Sequence, residues 1–293
     1  MKKYIVVTGG AGFVGSNLIE YLILKTNHQI ISLDNYSSGS KKNHIKNKKV
    51  FYIKADTNDI KKKLEKYKKH ILVIFHFGEF SRIHQSFIDT QKCFSSNISG
   101  TSEVFHFCLK NNIKIIYSAT SASLGSKGAD QNLSPYAFTK SKNLHLLENL
   151  KTWFNLSFEA LYFYNVYGPR QIKEGSMATV VGIFENQFKK NIPLSVVHPG
   201  TQSRKFTHIN DTVEGCYTAW KKNQNRHYSL SNSRSYQIIN IAKMFGNKIK
   251  MIPKKLGERN KSSNVKKIGK IKIHRLTCTR SLKKYIIDFK RSQ

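Results

Sequence analysis

The sequence has 293 residues, of which 39% are hydrophobic and 12% aromatic, and its formal net charge is +33. A chain of this length and composition can bury a substantial core, which excludes a disordered or fibrous protein. Its longest apolar run, at about residues 71–75, is far shorter than the roughly 20 residues of a membrane helix, so we expect a cytoplasmic protein.

The high positive charge is concentrated in residues 41–69 and 248–291. The lysines stand on polar faces between apolar positions, and no stacking-aromatic motif of an RNA-binding module accompanies them. We interpret the charge as solvated surface, expect no nucleic-acid partner, and note that its field favours an anionic substrate. Neither a disulfide framework nor a metal site is expected, because the cysteines are widely spaced. They are Cys93, Cys108, Cys216 and Cys278.

The first predicted strand, residues 4–8, leads into a glycine-rich turn and a helix at 15–25. Gly9 permits a tight turn, Gly12 lets a pyrophosphate approach the backbone, and Gly15 lets the helix pack against the strand. The pyrophosphate would lie on the N–H groups and positive dipole end of the helix, where Phe13 and Val14 are also expected to contact the cofactor. A glycine turn without a ligand would have the same spacing.

The second predicted strand, 29–34, ends in Asp34, and Asp56 directly follows the third predicted strand, 50–55. Asp34 follows Gly15 by 19 positions, where a carboxylate accepts hydrogen bonds from a ribose 2′-hydroxyl and repels a 2′-phosphate. NAD is therefore predicted as the cofactor, rather than NADP, with Asn35 beside the same ribose. Asp56 fits two interpretations equally well: it binds the adenine amine, or it caps the next helix.

A polar helix at 59–69, a strand at 71–77 and a long helix at 86–110 follow, and then a strand at 114–120 and a helix at 136–154. Tyr136 and Lys140 share one face of this last helix. A tyrosine acting as a general base near pH 7 needs its pKa lowered by about 3 units, roughly 4 kcal/mol, which a lysine ammonium and a cationic nicotinamide ring can supply.

The same tyrosine–lysine spacing occurs twice elsewhere, at Tyr21/Lys25 and Tyr217/Lys221. Position separates the three pairs. Only Tyr136 follows a strand that ends in hydroxyl side chains, at the sheet edge where open α/β folds bind their ligands. We therefore predict that Tyr136 and Lys140 form the catalytic pair.

A sixth strand is predicted at 158–166, and the rhythm changes after Pro169. Helices at 177–189, 211–222 and 236–245 alternate with extended pieces at 194–197, 204–209 and 228–230, and the last 45 or so residues are basic and less regular. The expected fold class is α/β. Residues 1–170 would form a Rossmann-type, doubly wound parallel sheet, and residues 171–293 a smaller mixed domain.

Together these features resemble the extended short-chain dehydrogenase/reductase family, in particular its NAD-dependent epimerase/dehydratase branch. The resemblance spans almost the whole chain and includes residues 75–78, Asn97 before Gly100-Thr101, and residues 164–170 and 200–211. It implies an NAD-dependent enzyme that acts on a nucleotide sugar, with residues 171–293 as the substrate domain. It also implies a homodimer formed through the helices at 86–110 and 136–154.

The resemblance also assigns roles to individual residues. Thr120 matches the catalytic serine or threonine that shares a proton with the substrate hydroxyl, and Lys140 would also hold the nicotinamide ribose. Asn165 and Arg204 match positions that bind the diphosphate of a nucleotide sugar, and Arg259 is a further candidate. An arginine fork suits a diphosphate better than a lysine does.

The type of reaction is inferred from the residues after Thr120 and from a departure from the family pattern at Glu79. Ser121-Ala122 follow Thr120 where family dehydratases carry an Asp-Glu pair, which favours a 4-epimerase of a UDP-hexose. In such an enzyme Tyr136 takes the O4 proton while a C4 hydride moves to NAD and later returns to the other face. Glu79 replaces a common family alanine and is expected near the sugar, where it could supply an acid. The alternatives are a nucleotide-sugar 4,6-dehydratase, a 4-keto reductase, or a non-catalytic NAD-sensing nucleic-acid binder.

Overall fold

The computed structural model describes residues 2–124, 131–254, 256–257 and 266–293. Its strands, in chain order, are β1 (Tyr4–Thr8), β2 (Gln29–Asp34), β3 (Val50–Lys54), β4 (Ile71–His76), β5 (Lys114–Thr120), β6 (Phe158–Phe163), β7 (Val166–Tyr167), β8 (Leu194–Val197), β9 (Ser203–Lys205), β10 (Thr207–His208), β11 (His227–Leu230), β12 (Ser235–Gln237), β13 (Ile249–Ile252), β14 (Lys267–Ile268) and β15 (Ile271–Arg275).

The α-helices are α1 (Phe13–Lys25), α2 (Ile60–Leu64), α3 (Ile83–Ile88), α4 (Thr90–Phe94), α5 (Thr101–Lys110), α6 (Pro135–Phe154), α7 (Val180–Lys189), α8 (Ile209–Lys222), α9 (Ile238–Phe245) and α10 (Leu282–Arg291). None of the helices within the described ranges combines the length and the apolar character needed to cross a membrane.

Nine of the described strands form the main sheet, in the order β14-β15-β11-β6-β5-β4-β1-β2-β3. Every neighbouring pair is parallel except β14 and β15, which are antiparallel. The side chains of β1 are buried on both faces, as in other parallel sheets covered on two sides. Ile5 and Val7 pack with α1 and α8, and Val6 packs with α5 and α6. The predicted doubly wound α/β class is confirmed.

The predicted helix at 86–110 is wrong as a single helix. It is divided into α3, α4, a π-helical segment (Ser95–Gly100) and α5. The buried Asn97 side chain inside the π segment bonds to the backbone of Phe80 and to Thr139, contacts that the periodicity of the sequence does not reveal. The predicted helix at 59–69 is α-helical only over α2 and continues as a 3₁₀ helix over Glu65–His70.

The basic C-terminal part is more regular than expected, because it supplies β13, β14, β15 and α10. Strands β11, β15 and β14 extend the main sheet beyond β6, so the sheet includes residues from both sides of position 170. A separate hydrophobic cluster of α7, α9 and α10 is centred on Phe184, Phe245 and Leu282. A substrate domain at 171–293 remains a prediction, and the structure adds that part of this segment belongs to the sheet.

Candidate active site

The glycine-rich turn between β1 and α1 has the geometry that its spacing predicts. Gly9 has a φ of +68°, a left-handed conformation that favours glycine, and its N–H donates to the Leu33 carbonyl at 2.8 Å. A Cβ atom at Gly15 would overlap the Gly9 carbonyl oxygen, so only glycine fits there. Gly12 caps α1 without a side chain, which leaves the first N–H groups of the helix accessible to an anion.

The Asp34 carboxylate lies directly beside this turn. Its Oδ2 accepts a hydrogen bond from Ala11 N at 2.9 Å, and its Oδ1 accepts one from Tyr36 N at 2.7 Å. Burial raises the pKa of Asp34, and these two backbone donors oppose the rise. A Cβ at Gly39 would come within 3.0 Å of both carboxylate oxygens. The side chain is thus held in one position, with its oxygens at the edge of the turn.

Asn35 and Asp56 meet next to Asp34, since the Asn35 amide donates to Asp56 Oδ2 at 2.8 Å. Asp56 also accepts a hydrogen bond from Asn58 N at 3.0 Å and caps the short 3₁₀ helix Thr57–Asp59. The capping interpretation of Asp56 is therefore confirmed. Binding of adenine by the same carboxylate stays a prediction, and Asp56 lines a cavity together with Asn35.

A cavity of about 420 Å³ extends from the glycine turn to the helix that carries Tyr136. It brings together most of the residues that the sequence predicts for the site. The predicted residues that line it are Gly9, Gly12, Phe13, Val14, Gly15, Asp34, Asn35, Glu79, Thr120, Tyr136, Lys140 and Asn165.

The start of α6 determines where Tyr136 lies. Ser134 caps this helix, accepting a hydrogen bond from Ala137 N at 3.1 Å, and Tyr136 N donates to Ser86 Oγ on α3 at 3.2 Å. Only 9% of Tyr136 is exposed. Thr120 ends β5 in the wall of the same cavity, with its hydroxyl oxygen accepting from Ala122 N at 3.1 Å.

Lys140 is 2% exposed and lies one helical turn after Tyr136. Its Nζ donates to the Ser118 carbonyl and to Glu79 Oε2, and it stands 4.4 Å from the centre of the Tyr117 ring. Burial lowers the pKa of Lys140, and the Glu79 carboxylate opposes this shift. The ammonium group is therefore held by an ion pair inside the protein.

Glu79 lines the cavity, and a contact between its side chain and the sugar stays a prediction. Its Oε1 accepts hydrogen bonds from the Tyr117 hydroxyl at 3.0 Å, from Thr101 at 3.1 Å and from Asn143 at 3.2 Å, while Oε2 pairs with Lys140. The side chain is 3% exposed. Because residue 79 follows the end of β4 beside β5 and α6, protein groups take up both carboxylate oxygens.

Sequence reasoning did not assign Arg82 to the site, and the structure shows that it lines the cavity with Tyr136. Its Nε and Nη2 donate to the Met177 carbonyl at 2.9 and 2.6 Å, and its Nη1 donates to the Ser81 carbonyl at 3.0 Å. The available signal was a charged residue within a stretch that already departs from the family pattern at Glu79.

His76 is a second missed residue, buried at the end of β4. Its Nδ1 bonds to Thr8 Oγ1 at 2.7 Å and its Nε2 to Thr101 Oγ1 at 2.9 Å. Burial lowers the pKa of His76 to about 4, so the ring is neutral near pH 7. Through Thr101, this ring connects the end of β1 to Glu79 and hence to Lys140.

The three predicted diphosphate ligands have different positions. Asn165 lines the cavity and donates to the Lys205 carbonyl at 2.8 Å. Arg204 is in β9, where its Nη1 donates to the Ser203 carbonyl at 3.0 Å, and it is not among the described residues that line the cavity. Arg259 lies outside the described residues.

The geometry fits a dinucleotide along the whole cavity. The turn excludes side chains where a pyrophosphate would approach, Asp34 offers a carboxylate to a ribose, and Tyr136 and Lys140 stand at the other end. These features define a Rossmann-type enzyme with the tyrosine–lysine pair of a dehydrogenase. The model of the NAD-dependent epimerase/dehydratase family matches residues 5–241, and the chain belongs to that family. The expected family and its NAD cofactor are thereby confirmed.

Three similar proteins illustrate this relationship. A putative UDP-glucose 4-epimerase of Methanocaldococcus jannaschii is 30% identical over 230 residues, which cover 74% of each chain. The solved UDP-N-acetylglucosamine 4-epimerase of Methanobrevibacter ruminantium, in complex with UDP-N-acetylmuramic acid, has a TM-score of 0.80 and 26% identity over 89% of each chain. The UDP-glucuronic acid 4-epimerase of Bacillus cereus shares the fold, with a TM-score of 0.85 and 23% identity over 99% of each chain.

Proposed function

We propose that the protein is a nucleotide-sugar 4-epimerase that acts on a UDP-hexose. The observation that carries this proposal is one cavity with the glycine turn and Asp34 at one end and Thr120, Tyr136 and Lys140 at the other. The names of its relatives support the same reaction, since proteins similar to this chain are described as 4-epimerases of UDP sugars.

Each of the three catalytic residues has a distinct task in this proposal. The Tyr136 phenolate takes the proton from the O4 hydroxyl of the sugar, and the Thr120 hydroxyl hydrogen-bonds to that same oxygen. Lys140, on the same face of α6 as Tyr136, binds the nicotinamide ribose. When bound, NAD supplies the hydride acceptor and donor. Because Tyr136 and Lys140 are buried, the proton is exchanged away from bulk water.

The charges of the cavity favour epimerisation over dehydration. Eliminating water requires an acid and a base close to the sugar. Among the described residues that line the cavity, the carboxylates are Asp34, beside the glycine turn, and Glu79, which is paired with Lys140. Ser121 and Ala122 follow Thr120 in the cavity wall and supply neither group.

The remaining site assignments are proposals that rest mainly on the family resemblance. Asp34 and Asn35 would bind the adenosine ribose, and Asp56 the adenine amine. Asn165 would contact the sugar diphosphate, with further charge from Arg204 and Arg259. An arginine fork placed on a diphosphate forms paired, charge-assisted hydrogen bonds.

We also propose a cytoplasmic homodimer that associates through the helical segments within residues 86–110 and through α6. Large apolar side chains are exposed on these helices, notably Ile88 at 65%, Trp153 at 62% and Phe154 at 60%. Exposed apolar groups of this size are typical of surfaces that pair with another chain. Light scattering of the purified protein tests the oligomeric state, and a monomeric mass would contradict it.

The reaction is tested with UDP-glucose and UDP-galactose that carry deuterium at C4, incubated without added NADH. A 4-epimerase interconverts the two sugars, conserves their mass and retains the deuterium at C4. Dehydration would release one water. A 4-keto reductase would leave both sugars unchanged under these conditions, and would consume NADH stoichiometrically only when NADH and a 4-keto sugar are supplied. Either of those outcomes, or no turnover of UDP-hexoses, would contradict the proposal.

A further inference from the structure

The titratable groups around Tyr136 come from several elements, and most of them are uncharged near pH 7. Burial lowers the pKa of His76 on β4 to about 4 and raises that of Cys93 on α4 to about 11. Burial also raises the pKa of Tyr117 on β5 well above its usual value. Helix α3, whose Ser86 hydroxyl accepts a hydrogen bond from Tyr136 N on α6, carries His84. Among the described residues that line the cavity, the charged side chains at the catalytic end are therefore Glu79, Lys140 and Arg82.

The charge of Lys140 is neutralised inside the protein. The Glu79 carboxylate pairs with its ammonium group, both side chains are 3% exposed, and three hydrogen-bond donors hold the other Glu79 oxygen in place. By Coulomb's law, a fixed carboxylate in contact with the ammonium opposes the field of the ammonium at a third group. Lys140 thus supplies less stabilisation to an ionised Tyr136 than an unpaired lysine would.

Among the described residues that line the cavity, Arg82 is the cation that no carboxylate neutralises. Main-chain carbonyls of Met177 and Ser81 accept its hydrogen bonds, and no carboxylate in the described part of the chain pairs with it. The side chain of Met177 packs in the same apolar cluster as Tyr136. Arg82 precedes α3 and its carbonyl accepts a hydrogen bond from Ser86 N, one turn further on, while the Ser86 hydroxyl accepts one from Tyr136 N. Both Arg82 and Tyr136 line the cavity. Burial lowers the pKa of Arg82, and the charge of an ionised Tyr136 opposes this shift.

We propose that Arg82 supplies the positive charge that stabilises the ionised form of Tyr136, because Glu79 neutralises Lys140. Arg82 is thus a positioning residue that acts on the proton transfer through its charge. Glu79 neutralises the cation on α6, and Arg82, in the segment after β4, supplies the positive charge in its place. This inference rests on the proposed role of Tyr136 as the base. It adds that the group that stabilises the ionised Tyr136 is a guanidinium, which remains protonated at every working pH.

The decisive experiment is the pH dependence of kcat/KM for UDP-galactose in Arg82→Met and Arg82→Lys. A cation within several ångströms lowers the pKa of an acidic group by about 1–3 units. Removing it raises the pKa of Tyr136, so the acidic limb of the profile should move to higher pH by about that amount. Arg82→Lys should restore most of the shift, and Arg291→Met, at the exposed end of α10, should leave the limb unchanged.

The Glu79→Gln variant changes the charge in the opposite direction, because it removes a negative charge instead of a positive one. The amide keeps the size of the side chain but leaves the Lys140 charge uncompensated, so the acidic limb should move to lower pH. Glu103→Gln on the exposed face of α5 is the matched control. The His84→Asn variant, measured in parallel, identifies any part of the limb that belongs to that imidazole.

Two further measurements keep the test decisive if Arg82→Met loses its activity. Thermal melting and NAD titration establish that the variant is folded. The pKa of Tyr136 is measured directly by ultraviolet titration, as the difference between Arg82→Met and Arg82→Met/Tyr136→Phe. The same difference between the wild type and Tyr136→Phe gives the value in the presence of Arg82. An unshifted Tyr136 pKa in folded Arg82→Met overturns the inference. Full activity of Tyr136→Phe would instead contradict the proposed function itself.

Discussion

The two ends of the cavity are constructed in different ways. At the glycine turn, backbone geometry is decisive: Gly9 adopts a left-handed conformation, Gly15 leaves no room for a Cβ, and Asp34 is held by two main-chain N–H groups. At the Tyr136 end, side chains are decisive, and Lys140 is held by groups from β5 and from the segment after β4. The first end depends on local sequence, and the second on contacts between distant segments.

This difference teaches where a family motif is informative. A glycine spacing restricts the backbone whatever surrounds it, so the turn can be recognised from the sequence. A tyrosine–lysine pair sets only a helix face, and its electrostatics depend on neighbours such as Glu79 and Arg82. We therefore expect variants at the catalytic end to change rates and pH profiles, and variants at the turn to change cofactor binding.

The largest effect is expected from Tyr136→Phe. Loss of a general base costs about 10²- to 10⁴-fold in kcat, because the O4 proton has no acceptor. NAD binding should remain, since the glycine turn and Asp34 are untouched. Steady-state kinetics and NAD titration check both halves of this expectation. Activity within tenfold of the wild type would refute the assignment, and loss of NAD binding would show that the two ends are not independent.

The second prediction concerns the Glu79–Lys140 ion pair. Lys140→Met leaves a buried carboxylate without its partner and should reduce the free energy of unfolding by about 3–5 kcal/mol. The double variant Lys140→Met/Glu79→Gln removes both charges and should recover a substantial part of this loss. Urea denaturation of the four proteins of the cycle measures the coupling. The exposed Lys92→Met serves as a control, and additive losses would contradict a buried pair.

The third prediction is a pH dependence caused by His76. The folded-state pKa of this ring is lowered to about 4, so between about pH 6.5 and 4 the unfolded chain binds the proton more strongly. Its contribution to stability is therefore present at neutral pH and is lost as the pH falls through this window, by about 2 kcal/mol between pH 7 and 5. The loss of stability between pH 7 and 5 should be absent from His76→Gln and present in the exposed variant His106→Gln. Denaturation of both variants at the two pH values measures it.

The smallest effect is expected at the ribose carboxylate. Asp34→Ala should weaken the binding of NAD by about 1.5 kcal/mol, roughly tenfold in Kd, because a charged hydrogen-bond acceptor is lost. NADP should be affected less, since the repulsion of its 2′-phosphate is also removed. Calorimetric titration with both cofactors measures the change in preference. An unchanged ratio would argue against the ribose role, and Asp59→Ala, an exposed residue after β3, is the control.

The sequence by itself determined the alternation of strands and helices, the glycine turn and the pair Tyr136/Lys140. These features follow from local rules: apolar runs of strand length, the steric freedom of glycine, and the repeat of the helix. Strands such as Tyr4–Thr8 and Gln29–Asp34 are therefore found at the predicted residues. The family resemblance then supplied the functional class.

Tertiary structure decided the division of the helix at 86–110, the return of the C-terminal segment to the main sheet and the partners of Glu79. Each of these depends on contacts between residues far apart in the chain, such as Asn97 with Thr139 and Glu79 with Lys140. The sequence shows that Glu79 and Arg82 are charged. Only the packing of β4, β5 and α6 decides that the charge of Glu79 is neutralised by Lys140, while Arg82 lines the cavity with Tyr136.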